Sequence, residues 1–358
     1  MKDWIRPEIK ALTAYHVPDA TGYIKLDAME NPYAWPQDLT EQWLELLRDA
    51  NLNRYPDPSA KNLKAKIQAS LNLPLESEMI LGNGSDELIQ MILMAVSGSD
   101  RVVMSVEPSF VMYKMITSFL NMPYVGVPLS NENDQFELDL ELILEKIKQH
   151  QPSVIFIAYP NNPTGNLFSE QSIDEILTAT EAIVVVDEAY FAFADKSYAS
   201  KLQDYENLIV MRTVSKMGLA GLRLGYMAGN KSLLQEMDKV RLPYNINILT
   251  QMSAEFALEN KHILDEQTEQ IKQDREKLSN ALIAINELSV YPSDANFILF
   301  RLLNRNADEV FSSLKEQNIL IKNLSHADES LKNCLRVTVG KSDENEKFIV
   351  ALKAALKI

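Results

Sequence analysis

The chain has 358 residues, with 35 Lys and Arg against 50 Asp and Glu, for a formal net charge of −15. That length supports two packed units around a sizeable core. The acidic balance argues against sequence-independent binding to nucleic acid or to an anionic membrane, both of which draw on clustered cations.

A single cysteine, Cys334, excludes an intrachain disulfide and fits a reducing compartment. The first ten residues, MKDWIRPEIK, contain no apolar signal region, and the longest apolar run, MILMAV at 91 to 96, is too short to span a bilayer. A cytoplasmic enzyme is the expectation. The histidines His16, His150, His262 and His326 lack ligand spacing, so no protein-built metal site is expected.

Between about residue 52 and residue 230, β-branched runs alternate with helical periodicity, the pattern of parallel strands joined by crossover helices. Strands are predicted at MIL (79 to 81), RVVMSV (101 to 106), VIFIA (154 to 158), AIVVVD (182 to 187) and LIVMRT (208 to 213). Their continuous apolarity suits strands covered on both faces. Residues 231 to 290 contain no glycine and predict long helices. The last third turns to NFILFRL, ILIKNL and CLRVTVG interleaved with helices. The expected fold is α/β: a large domain over 40 to 260 with a mostly parallel sheet between helices, and a smaller α+β domain formed by 1 to 39 with 261 to 358.

A polar or glycine-rich group follows each predicted strand: GNGSDE, EPSFVMY, PNNPTG, DEAY and SK. Ligands bind outside the carboxyl ends of the strands in open α/β sheets, so these five loops can converge on one crevice. Asp187 ends an apolar strand; it is either a turn residue or a carboxylate that needs a cationic partner such as a protonated ring nitrogen. Gly84, Ser85 and Asp86 open an amphipathic segment, as an N-cap or as a phosphate cradle. The loop matches neither the dinucleotide-binding nor the Walker pattern. Lys216, in TVSKMGLAGLRLGY, sits among Ser215, Gly218, Ala220 and Gly221, too small to be ordinary surface cover. A desolvated lysine loses its proton readily and forms Schiff bases with aldehydes. Arg223 is a phosphate ligand or a surface ion pair. Arg336 falls within an apolar strand, where planar recognition of a carboxylate is one reason for a charge.

Taken in order, these motifs, with LDAMENPY at 26 to 33 and NRYPDP at 53 to 58, resemble the aspartate aminotransferase superfamily, fold type I of the pyridoxal-phosphate enzymes. Within it they are most similar to the histidinol-phosphate aminotransferases, and the similarity runs through nearly the whole chain. The resemblance implies pyridoxal 5′-phosphate as cofactor and a small-molecule amino donor and 2-oxo acid as substrates. Lys216 would be the Schiff-base lysine and the proton carrier, and Asp187 the partner of the pyridine nitrogen. Asn162 and Tyr190 would bind the ring oxygen, and Phe110 would lie on the cofactor face. Backbone groups of Gly84, Ser85 and Asp86, with Thr213, Ser215 and Arg223, would hold the phosphate, reached also by Tyr55 from the partner subunit of a homodimer with shared sites. Arg336 would bind the α-carboxylate of glutamate, Lys322 the substrate phosphate.

Four features depart from the family pattern. Met29 stands where Asn is frequent, Phe110 replaces a tyrosine, Lys322 stands where arginine is expected, and the spacing from Lys216 to Arg223 is one residue shorter than in many members. Three further readings compete: an aromatic amino acid aminotransferase, a decarboxylase of a phosphorylated amino acid, and a non-catalytic ligand-binding module. The last usually carries a DNA-binding segment, and this acidic chain shows none.

Overall fold

The computed structural model describes residues 4–14, 18–71, 73–74, 77–132 and 135–358, so His16 lies outside the described residues. The five apolar runs become strands of one seven-stranded sheet: β1 Glu78–Asn83, β2 Val103–Glu107, β4 Val154–Ala158, β5 Ile183–Asp187 and β6 Leu208–Thr213. They are joined by β3 Tyr124–Pro128 and β7 Leu224–Gly229, which have no clear apolar-run signal. The order across the sheet is β1-β7-β6-β5-β4-β2-β3. Only β7 among these strands runs antiparallel to its neighbours, β1 and β6.

Side chains alternate across the sheet into two cores. Ile155, Ile157, Val184, Val186 and Val210 pack on one face. Val154, Phe156, Val185, Ile209 and Met211 pack on the other. Fully burying a side chain of this kind stabilises by about 1.5–3 kcal/mol, which is why the runs stay apolar up to their carboxyl ends apart from Ser105 in β2, whose buried hydroxyl donates to the Phe156 carbonyl at 3.1 Å. Strand β7 is interrupted by glycine for a steric reason: a Cβ on Gly225 would lie 2.8 Å from the Gly84 carbonyl carbon, in the first turn of helix α1, Gly84–Val96.

The glycine-free stretch forms helices Lys231–Asp238, Ile248–Glu259 and the 23-residue Lys261–Ile283. Beyond it lies a four-stranded antiparallel sheet of β8 Leu288–Val290, β9 Phe297–Leu302, β10 Lys322–Asn323 and β11 Cys334–Thr338, in the order β8-β9-β11-β10. The N-terminal segment ties itself to this C-terminal region. Ile24 and Lys25 pair in parallel with Ile319 and Leu320, and Leu26 exchanges 2.8 Å hydrogen bonds with Leu320 and Thr338. It then crosses to the main sheet, where Asn31 Nδ2 donates to the Met217 carbonyl at 3.3 Å. Among the described residues no helix is long and apolar enough to cross a membrane.

Candidate active site

Parallel strands put all their carboxyl ends on one edge, and the five loops meet there around an inner cavity of about 120 Å³. Its walls come from every loop: Ser85 and Asp86 after β1, Phe110 after β2, Asn162 after β4, Asp187 and Tyr190 at β5, and Thr213, Ser215 and Lys216 at β6. Arg223 joins them because β7 runs the other way, so that the residue preceding this strand lies at the carboxyl edge. Its backbone is left-handed, at φ 49°.

The first turn of α1 is shaped for an anion. Gly84 has φ 77°, and a Cβ there would fall 2.6 Å from Arg223 Nη2. The N-cap residue Asn83 makes no side-chain capping bond, and Arg223 Nη2 reaches Asp86 Oδ2 at 3.4 Å. Helix N–H groups beside a guanidinium form an anion site. Thr213 and Ser215, both buried, share a 2.8 Å hydroxyl contact at the same wall.

Asp187 is 3% exposed and accepts from the Tyr113 hydroxyl at 2.6 Å and the Ala189 N–H at 3.1 Å. Burial pushes its carboxyl up to about 6, against these two donors. A buried carboxylate so disposed fits a cationic ring nitrogen. Lys216 sits in a single turn, Ser215–Met217, and donates to the Ala28 carbonyl at 3.3 Å. Burial, then the nearby Arg336 charge, lowers its amine to about 8.

Asn162 Nδ2 donates to the Tyr190 hydroxyl at 3.1 Å, and its Oδ1 accepts from Arg336 Nη1 at 2.5 Å. Arg336 Nη2 donates to the Asp27 carbonyl at 3.1 Å. Arg336 faces a second, outer cavity of about 350 Å³, which shares Met29, Phe110 and Asn162 with the inner one. Lys322 lines that outer cavity and is paired directly opposite Arg336 across β10 and β11, so both cations stand on one face.

Tyr55 is not brought to either cavity of its own chain; it is 80% exposed and stacks on Tyr244 at 4.4 Å. Three contributions escaped sequence reasoning. The Asp27 and Ala28 carbonyls act through main chain, which carries no sequence signal. Tyr113, three residues after Phe110 in the EPSFVMY loop, had a helical spacing that could have flagged it. Met29 lines both cavities at φ 53°, a conformation Asn adopts more readily.

A mostly parallel sheet carrying a buried lysine of lowered basicity, a buried aspartate and a helix-end anion cradle fits a fold type I pyridoxal-phosphate enzyme. A family model described as "Aminotransferase class I and II" matches residues 21–352. "Histidinol-phosphate aminotransferase 2" of Nitrosococcus oceani is 55% identical over 99% of this chain and 98% of its own. The crystal structure of the histidinol-phosphate aminotransferase from Clostridium acetobutylicum superposes with TM-score 0.84 at 25% identity, over 93% of this chain and 99% of its own. That from Sinorhizobium meliloti, in complex with pyridoxal-5′-phosphate, gives 0.86 at 22%, over 100% and 98%. The chain belongs to the class I and II aminotransferases, and its cofactor is pyridoxal 5′-phosphate.

Proposed function

We propose that the protein transfers an amino group between L-histidinol phosphate and 2-oxoglutarate, giving imidazole acetol phosphate and L-glutamate in histidine biosynthesis, as a cytoplasmic homodimer. The observation that carries the substrate is the Lys322–Arg336 pair: two cations on one face of the outer cavity, one a point charge and one a planar fork, suit a donor bearing a phosphate and an acceptor bearing carboxylates. The naming of the similar relatives supports the same reading.

The bound cofactor supplies a carbonyl that condenses with amines and a ring that withdraws electrons from the substrate Cα. The chain's residues do the rest. Lys216 Nζ, neutral in a substantial fraction near pH 8, would carry the proton between the substrate Cα and the carbonyl carbon that the cofactor supplies. Asp187 holds a proton on the ring nitrogen by its charge. Asn162 and Tyr190 would donate to the ring oxygen, Phe110 would cover one ring face, and backbone groups of Gly84, Ser85 and Asp86, with Thr213, Ser215 and Arg223, would hold the phosphate. Tyr55, exposed on its own chain, serves the partner subunit's phosphate site. The small domain, 1 to 39 with 261 to 358, delivers Arg336 and Lys322 to a site built by 40 to 260.

Phe110, Tyr124, Leu324 and Leu331 also line the outer cavity and would take an aromatic side chain, which favours aromatic amino acid transamination as the second reading. The deciding experiment compares histidinol phosphate, phenylalanine and tyrosine as donors to 2-oxoglutarate with the purified enzyme. Preference for histidinol phosphate is expected; preference for either amino acid overturns the first reading.

A further inference from the structure

We propose that Tyr113 is a positioning residue for this enzyme: its hydroxyl, reaching Asp187 from behind the inner cavity, fixes the carboxylate plane that meets the cofactor ring. The proposal rests on the reading of Asp187 as the ring-nitrogen partner.

Tyr113 lies on helix α2, Val111–Phe119, is fully buried, and is not among the residues lining either cavity. Its ring is clamped from two sides, stacked on Phe156 of β4 at 4.7 Å and meeting the Phe110 ring edge-on at 5.5 Å. A phenylalanine would fill that space equally well, so the hydroxyl is the part that calls for a reason. It donates to Asp187 Oδ2 at 2.6 Å, the length of a charge-assisted bond. The Ala189 N–H holds Oδ1 at 3.1 Å. Two donors on different oxygens block rotation about the carboxylate's own bond; one donor alone would not. Each oxygen keeps further acceptor capacity for the cavity side.

The same hydroxyl opposes the forces that would neutralise the carboxylate. Asp187 faces Tyr113 from α2, Tyr190 from its own loop, Asp86 from α1 and its neighbour Glu188. Burial and the two acidic groups favour its protonated form, and the Tyr113 hydroxyl is the largest influence in the other direction. Glu188 is itself paired with Arg212, at 2.8 Å. The Phe110 contact means that one residue braces both the face-covering ring and the ring-nitrogen partner.

Tyr113→Phe tests the proposal because it keeps the packing. In full-length apoenzyme labelled with carboxyl-13C aspartate, with Asp187→Asn to assign the resonance, the Asp187 carboxyl of Tyr113→Phe is expected to titrate about one pH unit higher than in wild type. The acid limb of cofactor affinity, followed by absorbance titration, should move up with it. A variant whose Asp187 titration and affinity profile match wild type, whatever its melting temperature, overturns the proposal. If instead Asp187→Ala binds cofactor as tightly as wild type, the ring-nitrogen reading fails, independently of Tyr113.

Discussion

Arg336→Lys preserves charge and destroys geometry, which makes it the sharpest perturbation of the substrate site. Arg336 is 6% exposed, and its guanidinium lies 5.1 Å from the Phe297 ring centroid and spans Asn162 Oδ1 and the Asp27 carbonyl with two different nitrogens. A lysine has one nitrogen and cannot serve both acceptors while presenting two parallel donors to a carboxylate. The acceptor left without a donor weakens free and liganded enzyme alike, so that part appears in stability. The lost charged hydrogen bond to the ligand, about 1.5–3 kcal/mol, appears in kcat/KM as roughly a 10- to 150-fold decrease. Single-turnover measurement of each half-reaction reads it: Arg336→Lys should impair both glutamate and histidinol phosphate. Lys322→Ala should mainly raise the KM for histidinol phosphate, by one charged hydrogen bond of the same size. An Arg336→Lys enzyme within about twofold of wild type in both halves, well inside the energy of one such bond, would refute the reasoning.

Asp187→Asn should lower turnover by over about a hundredfold, since electrostatic contributions of this kind are worth about 3 kcal/mol or more. The apoenzyme should respond in the opposite sense. A carboxyl raised to about 6 costs stability when ionised, in full above pH 6, and the cost disappears as pH falls towards 4. Urea denaturation should therefore find the variant more stable at pH 8 and not at pH 4; a pH-independent difference contradicts this. Borohydride treatment of the loaded enzyme should label the peptide containing Lys216, and the rate of cofactor capture by apoenzyme should rise with pH around a midpoint near 8. A midpoint near 10.5, or a label on another lysine, rules out the assigned environment. Met29→Asn should relax the left-handed backbone at φ 53° and stabilise by about 1 kcal/mol; a lower urea midpoint counts against strain there.

Five strands and all five carboxyl-end loops are legible in the sequence, because a strand covered on both faces needs an unbroken apolar run and a parallel sheet puts every such end on one edge. Lys216 and Asp187 stand out for the same reason: small or charged residues occur where a buried run should continue. Strand β3 escapes because it is a half-buried edge ending in Pro128, and β7 because close approach to α1 demands Gly225. Only the tertiary structure turns β7 antiparallel and so delivers Arg223 to the cavity. Only strand register sets Lys322 opposite Arg336, and only the packing of α2 on β4 brings the Tyr113 hydroxyl to Asp187, 74 residues away in sequence. Periodicity records which face of an element is buried, a local property; which elements then meet depends on long-range pairing that no single segment encodes.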